Sequence, residues 1–286
     1  MTYSTLITVA QLQALQHSGA SLVVFDCSFE LTNPAAGPAQ FAEQHVAGAR
    51  YAHLDEHLTA KGGKPAVNGG RHPLPTREAF AQWIASQGVG NTTQVVVYDR
   101  QGVNYCGRLW WMLQWLGHGA VAVLDGGLQA WVAAGGALES GTATAATPAS
   151  FSLGAPLVTL LDVDTVHANL GRATQHVVDA RGAPRYRGEV EPLDPKAGHI
   201  PGALNRPFTS NFTAQGYFKP ADVLRTEFDA LLGDRDATQV VHHCGSGVSA
   251  VPNVLAMAIA GYGPTALFAG SWSEWCADPS RPVAQG

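Results

Sequence analysis

The sequence predicts an α/β chain made of two tandem domains of one design, each a mostly parallel sheet with helices on both faces. Three observations predict it. First, the chain repeats itself: "SLVVFDCS" (21–28) is echoed by "QHVVDARG" (175–182), "HVAGARY" (45–51) by "HIPGALN" (199–205), "QVVVYDR" (94–100) by "QVVHHCG" (239–245), and "VLDGGLQAWVAAGG" (123–136) by "LFAGSWSEWCADP" (267–279). The offsets are 179 − 26 = 153, 199 − 45 = 154, 239 − 94 = 145 and 275 − 131 = 144, four landmarks in one order. That near-constant spacing is the mark of a duplicated domain. Second, the apolar runs "LVVF", "VVV" and "VAVL" are short and do not alternate, as befits parallel strands buried on both faces. Third, helical patterns lie between them, and alternation of strand and helix implies layers of helices around a sheet.

Each half, taken in order, reads as helix, strand, loop, helix, second strand, helix and third strand. "REAFAQWIASQG" (77–88) predicts a helix closed by Gly88, since glycine takes the left-handed angles of a C-cap without a side-chain penalty. "GRLWWMLQWLG" (107–117) predicts another, its aromatic cluster facing the core. "ESGTATAATPASFSLGAP" (139–156) is rich in small residues, Thr and Pro, and reads as an interdomain linker. The expected organisation is therefore a first domain over 1–138, a linker over 139–156 and a second domain over 157–286. A chain of 286 residues is comfortable for two such domains.

Composition removes several functions. With 17 basic and 22 acidic residues the net charge is 17 − 22 = −5, and no Lys/Arg stripe forms, which argues against nucleic acid and anionic membranes as partners. No run of about eighteen uninterrupted apolar residues exists for a membrane span, and the first residues lack a basic region followed by an apolar core. Cys27, Cys106, Cys244 and Cys276 show neither CxxC spacing nor the density of a disulfide scaffold, so a reducing cytoplasm is the expected location.

The chemistry is expected at "QVVHHCGSGVSAVPN" (239–253), where a buried strand runs into a glycine-rich turn and then a helix. Pro252 suits a first helical turn. Gly245 and Gly247 permit backbone angles that let successive amides converge, and the helix dipole adds to that positive potential. A thiol held there, Cys244, is expected to have a lowered pKa and to act as a thiolate. Two rivals fail on the letters. "GSGVSA" fits a dinucleotide-binding fingerprint, but no acidic residue follows about twenty positions on. A cysteine phosphatase loop closes with an arginine six residues after the cysteine, and Ala250 stands there.

"CGSGVSA", "HIPGA", "DARG" with "PRYRGE", and "DGG" followed by Trp131 together resemble the rhodanese-type sulfurtransferases, especially the 3-mercaptopyruvate branch, over essentially the whole chain. The resemblance implies two tandem rhodanese-like domains, the second active. In the first, Asp99 occupies the cysteine position (244 − 99 = 145), which implies a catalytically silent copy. Thiosulfate-preferring members carry Arg and Lys directly after the cysteine; here Gly245 and Ser246 stand there, and an uncharged loop suits a donor whose charge is a remote carboxylate.

The branch is implied to bind that carboxylate with two arginines. One matches Arg185; the other falls where Leu193 stands, leaving Arg187, Lys196 or an N-domain residue to serve. Ser246 is implied to move a proton, Asp55 to join a relay and His72 to lie nearby in the cleft. Main-chain groups of Gly245, Gly247, Val248 and Ser249 are implied to hold the sulfur. The expected partners are a small-molecule sulfur donor and a thiol acceptor such as a thioredoxin-like protein, with no bound cofactor and no metal. His242 and His243 are adjacent on a strand and so point to opposite faces, unlike a ligand pair. His45 and His199 recur in both halves and read as structural. Cys27, Cys106 and Cys276 have no amide nest and read as inert buried thiols.

Overall fold

The computed structural model describes residues 2–286, in two compact units. Unit 1 takes the chain up to Pro65 together with Pro75–Leu157 and Thr213–Phe218; unit 2 takes Ala66–Leu74, Val158–Phe212 and Lys219–Gly286. Unit 1 contains strands β1 (Leu6–Ile7), β2 (Leu22–Asp26), β3 (His45–Val46), β4 (Arg50–Tyr51), β5 (Gln94–Tyr98), β6 (Val121–Leu124) and β7 (Leu138–Glu139). Its helices are α1 (Val9–His17), α2 (Ala36–Glu43), α3 (Arg77–Ser86), α4 (Cys106–Trp115) and α5 (Gly127–Ala133). Unit 2 contains β8 (Thr159–Leu161), β9 (His176–Asp179), β10 (Leu204–Asn205), β11 (Val240–His243) and β12 (Ala266–Phe268), with helices α6 (Val163–Ala168), α7 (Ala183–Tyr186), α8 (Ala221–Leu232), α9 (Val251–Ile259) and α10 (Ser271–Trp275).

The two sheets are copies. Unit 1 orders its strands β1-β6-β5-β2-β4 and unit 2 orders them β8-β12-β11-β9-β10, every neighbouring pair parallel. The central strands β5 and β11 are buried at every residue, which is why the sequence there is Val-rich and does not alternate. β3 and β7 form a separate antiparallel pair.

Local chemistry repeats with the topology. Thr8 caps α1 in a reciprocal box with Gln11, and Asp162 caps α6 through Thr165. Gly88, at φ +75°, ends α3 by donating its amide to Ala85. Trp131 and Trp275 are fully buried in the two cores, and each indole N–H donates to a carbonyl just downstream, Ala137 and Pro282, at 2.9 Å. Residues 140–157 have no helix or strand, yet Ala149, Gly154 and Leu157 donate to the carbonyls of Ala85, Leu116 and Gln114 within unit 1. No helix of the described residues is long and apolar enough to cross a membrane.

Candidate active site

In unit 2, parallel strands deliver their C-terminal ends to one edge, the usual address for chemistry in open α/β sheets. Asp179 ends β9, His243 ends β11 and Phe268 ends β12. Cys244 follows β11 directly, and six further residues reach the first turn of α9, with Pro252 in that turn as its missing N–H allows. The segment after β12 forms the wall behind. Ser271, itself left-handed at φ +56°, accepts from the Cys244 amide at 3.1 Å and donates to the Phe268 carbonyl at 3.0 Å. The amides of Trp272 and Ser273 donate to the carbonyls of Cys244 and Gly245 at 3.0 and 2.9 Å. Gly247 sits at φ +73°, with no room for a side chain against the Ala269 backbone. Cys244 is thus held rigidly and is only 2% exposed.

The first unit shows what such a loop binds. Asp99, buried at the end of β5, accepts from the amides of Gln101 (2.9 Å), Val103 (3.0 Å), Tyr105 (2.8 Å) and Cys106 (2.9 Å). Burial raises its pKa, against the pull of those four amides. The loop is therefore wrapped around an anionic side-chain group. The offset of 145 places Ser246 and Val248 where Gln101 and Val103 stand, and Gly247 (φ +73°) where Gly102 (φ +66°) stands. Among the described residues, the amides of Gly245, Ser246 and Val248 donate to no protein acceptor. One loop design carries a carboxylate in unit 1 and a thiol in unit 2.

The charged surroundings are richer than the letters of the loop promise. A Cβ placed on Gly245 would lie 3.0 Å from Arg71 Nη2 and 3.4 Å from Arg185 Nη1, so two guanidinium groups occupy the position of the side chain that residue 245 lacks. Arg185 forks onto Glu191 (2.7 and 2.9 Å from Nη2) and reaches Asp194 at 3.2 Å; Arg71 pairs with the other oxygen of Asp194. Both carboxylates are 3% exposed, whereas the arginines are 28% and 22% exposed, so the cations face outward over buried anions. Deeper, Arg181 packs over Trp272 and pairs with Asp179 (2.6 Å) and Glu191 (3.3 Å). Burial opposes the charge on Arg181, but Asp179, Glu191 and Cys244 outweigh it and raise its pKa. Burial likewise opposes the charge on Asp179, and His243 and Arg181 outweigh it, lowering its pKa.

Of the residues expected from sequence, Cys244, Gly245, Ser246, Gly247, Val248, Ser249, Arg185 and His72 all belong to unit 2. Ser246 is 5% exposed and its hydroxyl bonds His72 Nδ1 at 2.7 Å. Asp55 belongs to unit 1, where its carboxylate pairs with Lys61 at 2.5 Å. Arg187 stands two residues beyond Arg185 on one helical turn, so the two cannot share a face; its half-exposed guanidinium forks onto Glu189 at 2.6 and 3.0 Å. Lys196 donates to the Pro279 carbonyl, and Leu193 is exposed.

Four residues escaped the sequence. Arg71 was hidden beside His72 in "GGRHPLP", in the first half of the chain, although its segment folds with unit 2. Arg181 was visible only as part of "DARG", and Glu191 and Asp194 as ordinary acids of a loop. The loop itself carries no cation, as its letters show, and the guanidiniums beside it arrive from other segments.

The bland residues behave alike in both units. His45 stacks on Phe41 and bonds its carbonyl, as His199 does on Tyr186, each at a ring separation of 3.8 Å. Burial raises the thiol pKa of Cys27, Cys106 and Cys276. Among the described residues no cluster of His, Cys, Asp or Glu is arranged to hold a metal.

Known proteins carry the same design. The rhodanese-like domain family matches residues 8–134 and again 162–278. A probable 3-mercaptopyruvate sulfurtransferase of Pseudomonas aeruginosa is 43% identical over the full length of both chains. A putative thiosulfate sulfurtransferase of Mycobacterium tuberculosis is 36% identical, over 98% of this chain and 97% of its own. The solved 3-mercaptopyruvate sulfurtransferase from Leishmania major superposes with a TM-score of 0.79 at 29% identity, covering 96% of this chain and 74% of that one.

Proposed function

The chain belongs to the rhodanese-like family and is a sulfurtransferase, and from that premise we propose that it moves sulfur from 3-mercaptopyruvate to a thiol acceptor or cyanide through a persulfide on Cys244. The observation that carries this reading is the pair of matched loops. Four amides embrace the Asp99 carboxylate in unit 1, and the matching loop of unit 2 presents a thiol with amides at hand for a negative sulfur. The first domain is silent on this reading because its nest is filled by its own side chain.

The steps follow nucleophilic, ping-pong logic. The Cys244 thiolate attacks the donor's thiol sulfur; the C–S bond breaks and its electron pair leaves as pyruvate enolate. Ser246, tied to His72 at 2.7 Å, relays the proton that converts enolate to pyruvate. A persulfide anion remains in the nest, held by main-chain groups of Gly245, Gly247, Val248 and Ser249. An acceptor thiol, or a thioredoxin-like protein presenting one, then attacks the outer sulfur and restores the thiolate. Arg185 orients the donor carboxylate, and Arg71, not Arg187, supplies the second guanidinium, since both Arg71 and Arg185 lie against Gly245. Four unpaired, buried cysteines fit a reducing cytoplasm.

Thiosulfate has one observation in its favour. Arg71 and Arg185 fill the side-chain space of residue 245, where thiosulfate-preferring loops carry a cation. Against it, Glu191 and Asp194 already neutralise that pair, which leaves little attraction for a dianion. The test is mass spectrometry after mixing with each donor alone. 3-Mercaptopyruvate should add one sulfur mass and release pyruvate, and Cys244→Ser should do neither. Undiminished pyruvate release by that variant, or a clear preference for thiosulfate, overturns the assignment.

A further inference from the structure

Asp194 is shared by the two guanidiniums nearest the Cys244 loop. One oxygen accepts from Arg71 and the other from Arg185 at 3.2 Å. The two arginines are not held alike. Glu191 grips Arg185 through three bonds of 2.7 to 3.2 Å, so Arg185 keeps its place without Asp194. Arg71 is anchored by its backbone amide on Ser273 Oγ at 3.0 Å, and Asp194 is the ion-pair partner of its guanidinium among the described residues. A carboxylate bridging two outward-facing forks beside a nucleophilic loop has the shape of the ligand those forks are expected to receive.

We propose that Asp194 is an internal stand-in for the donor's carboxylate, closing the Arg71–Arg185 clamp until the donor displaces it, and that it thereby sets donor affinity and charge selectivity. The inference rests on the reading of the donor as an α-keto acid with one carboxylate. With Asp194 in place, the two arginines are balanced by Glu191 and Asp194. When Asp194 turns away, one positive charge is uncovered, which a monoanion matches and a dianion over-fills. Carboxylate-for-carboxylate exchange also keeps the guanidiniums paired in both states, so neither step strands a desolvated cation.

The test uses the full chain at low ionic strength, with Asp194→Asn and Arg71→Gln beside the wild type. Pyruvate binding is measured by calorimetry, and steady-state turnover with 3-mercaptopyruvate and with thiosulfate. Asp194→Asn should lower the Kd of pyruvate and the KM for 3-mercaptopyruvate about tenfold, the factor that about 1.4 kcal/mol supplies. Its kcat should stay within about twofold, while kcat/KM for thiosulfate rises. Arg71→Gln should raise both the Kd and the KM by a similar factor. Unchanged or weakened pyruvate binding in Asp194→Asn overturns the proposal, because Asp194 would then only prop the arginines; so does an Arg71→Gln variant that binds pyruvate as tightly as wild type. The donor reading fails separately: a wild type that binds pyruvate but releases none from 3-mercaptopyruvate removes that donor and not the competition by Asp194.

Discussion

Two glycines of the loop, two residues apart, should respond to the same methyl group in opposite ways. At Gly247 an alanine must hold φ near +73°, a left-handed angle that costs a Cβ-bearing residue about 1–2 kcal/mol. Its Cβ would also lie 2.8 to 2.9 Å from the Ala269 carbonyl carbon and Cα, closer than such atoms pack, so backbone must shift. Overpacking of that kind costs about 1–3 kcal/mol, and the stiffer unfolded chain returns only about 0.4–1 kcal/mol. The net expectation is a loss of about 2–3 kcal/mol. Because the same shift moves the amides around Cys244, and a displacement of about 1 Å can cost about a hundredfold, kcat should fall by about that factor.

At Gly245 the neighbours of the new methyl are the tips of Arg71 and Arg185, at 3.0 and 3.4 Å, and flexible tips give way. Gly245→Ala should therefore stay within about 0.5 kcal/mol of wild-type stability. Its KM for 3-mercaptopyruvate should rise about tenfold as the clamp is pushed aside, with kcat reduced far less than in Gly247→Ala. Urea unfolding and steady-state pyruvate release read both variants. Wild-type kcat in Gly247→Ala, or a stability loss in Gly245→Ala equal to that in Gly247→Ala, would refute the placement of these residues.

Asp99→Asn in the first unit should destabilise that unit by about 2–4 kcal/mol in urea unfolding, since four amides lose a charged acceptor and the two on the replaced oxygen meet an N–H₂ donor; unaltered unfolding would show that the carboxylate does not hold its loop together. Sulfur uptake at Cys244, read by mass, should persist in the same variant. Stability should also fall in acid through His242, whose pKa burial lowers from 6.5 to about 3. The sign follows from proton uptake: between pH 6.5 and 3 the unfolded chain binds a proton that the folded chain refuses, so stability is intact above 6.5 and drains as pH falls. At about 1.4 kcal/mol per pH unit the drop is worth up to about 5 kcal/mol. His242→Leu should flatten the decline below pH 6, and an equally steep decline in that variant would show that other groups carry it.

What the sequence revealed, and what it hid, divides along the range of the interactions. The duplication was visible because each landmark is local: a Val-rich strand with its terminal aspartate, a left-handed glycine, a tryptophan that donates a few residues downstream. The Cys244 loop was visible for the same reason, since strand, turn and helix start lie within fifteen residues, 239–253. The charged clamp was not. Arg71 and Asp194 are 123 positions apart, and the segment that carries Arg71 folds with unit 2 although it precedes α3 of unit 1. Matching one half of the chain to the other therefore could not bring Arg71 to the Cys244 loop. The uncharged letters of the loop hid Arg71 for the same reason: reading only residues 244–250 counts charges along the chain, whereas the potential at a thiol depends on charges near it in space.

On the proposed function, the two loops differ by little: one holds a carboxylate and the other a thiol. A nest of main-chain amides is a property of backbone angles, shared here through Gly102 and Gly247, and it favours any anion of suitable reach. Aspartate supplies that anion permanently, and four amides at 2.8 to 3.0 Å hold it where no substrate can compete. In the proposed function, cysteine supplies it conditionally, as a thiolate that accepts a sulfur and gives it up. Asp194 fits the same economy one shell further out, as a carboxylate that holds two guanidiniums without holding them permanently. A covalently tethered anion keeps a cationic site ordered and soluble between turnovers, and its attraction is weakened only as far as an incoming carboxylate can match it. On this account, strengthening the tether should slow donor entry as surely as cutting it should speed it.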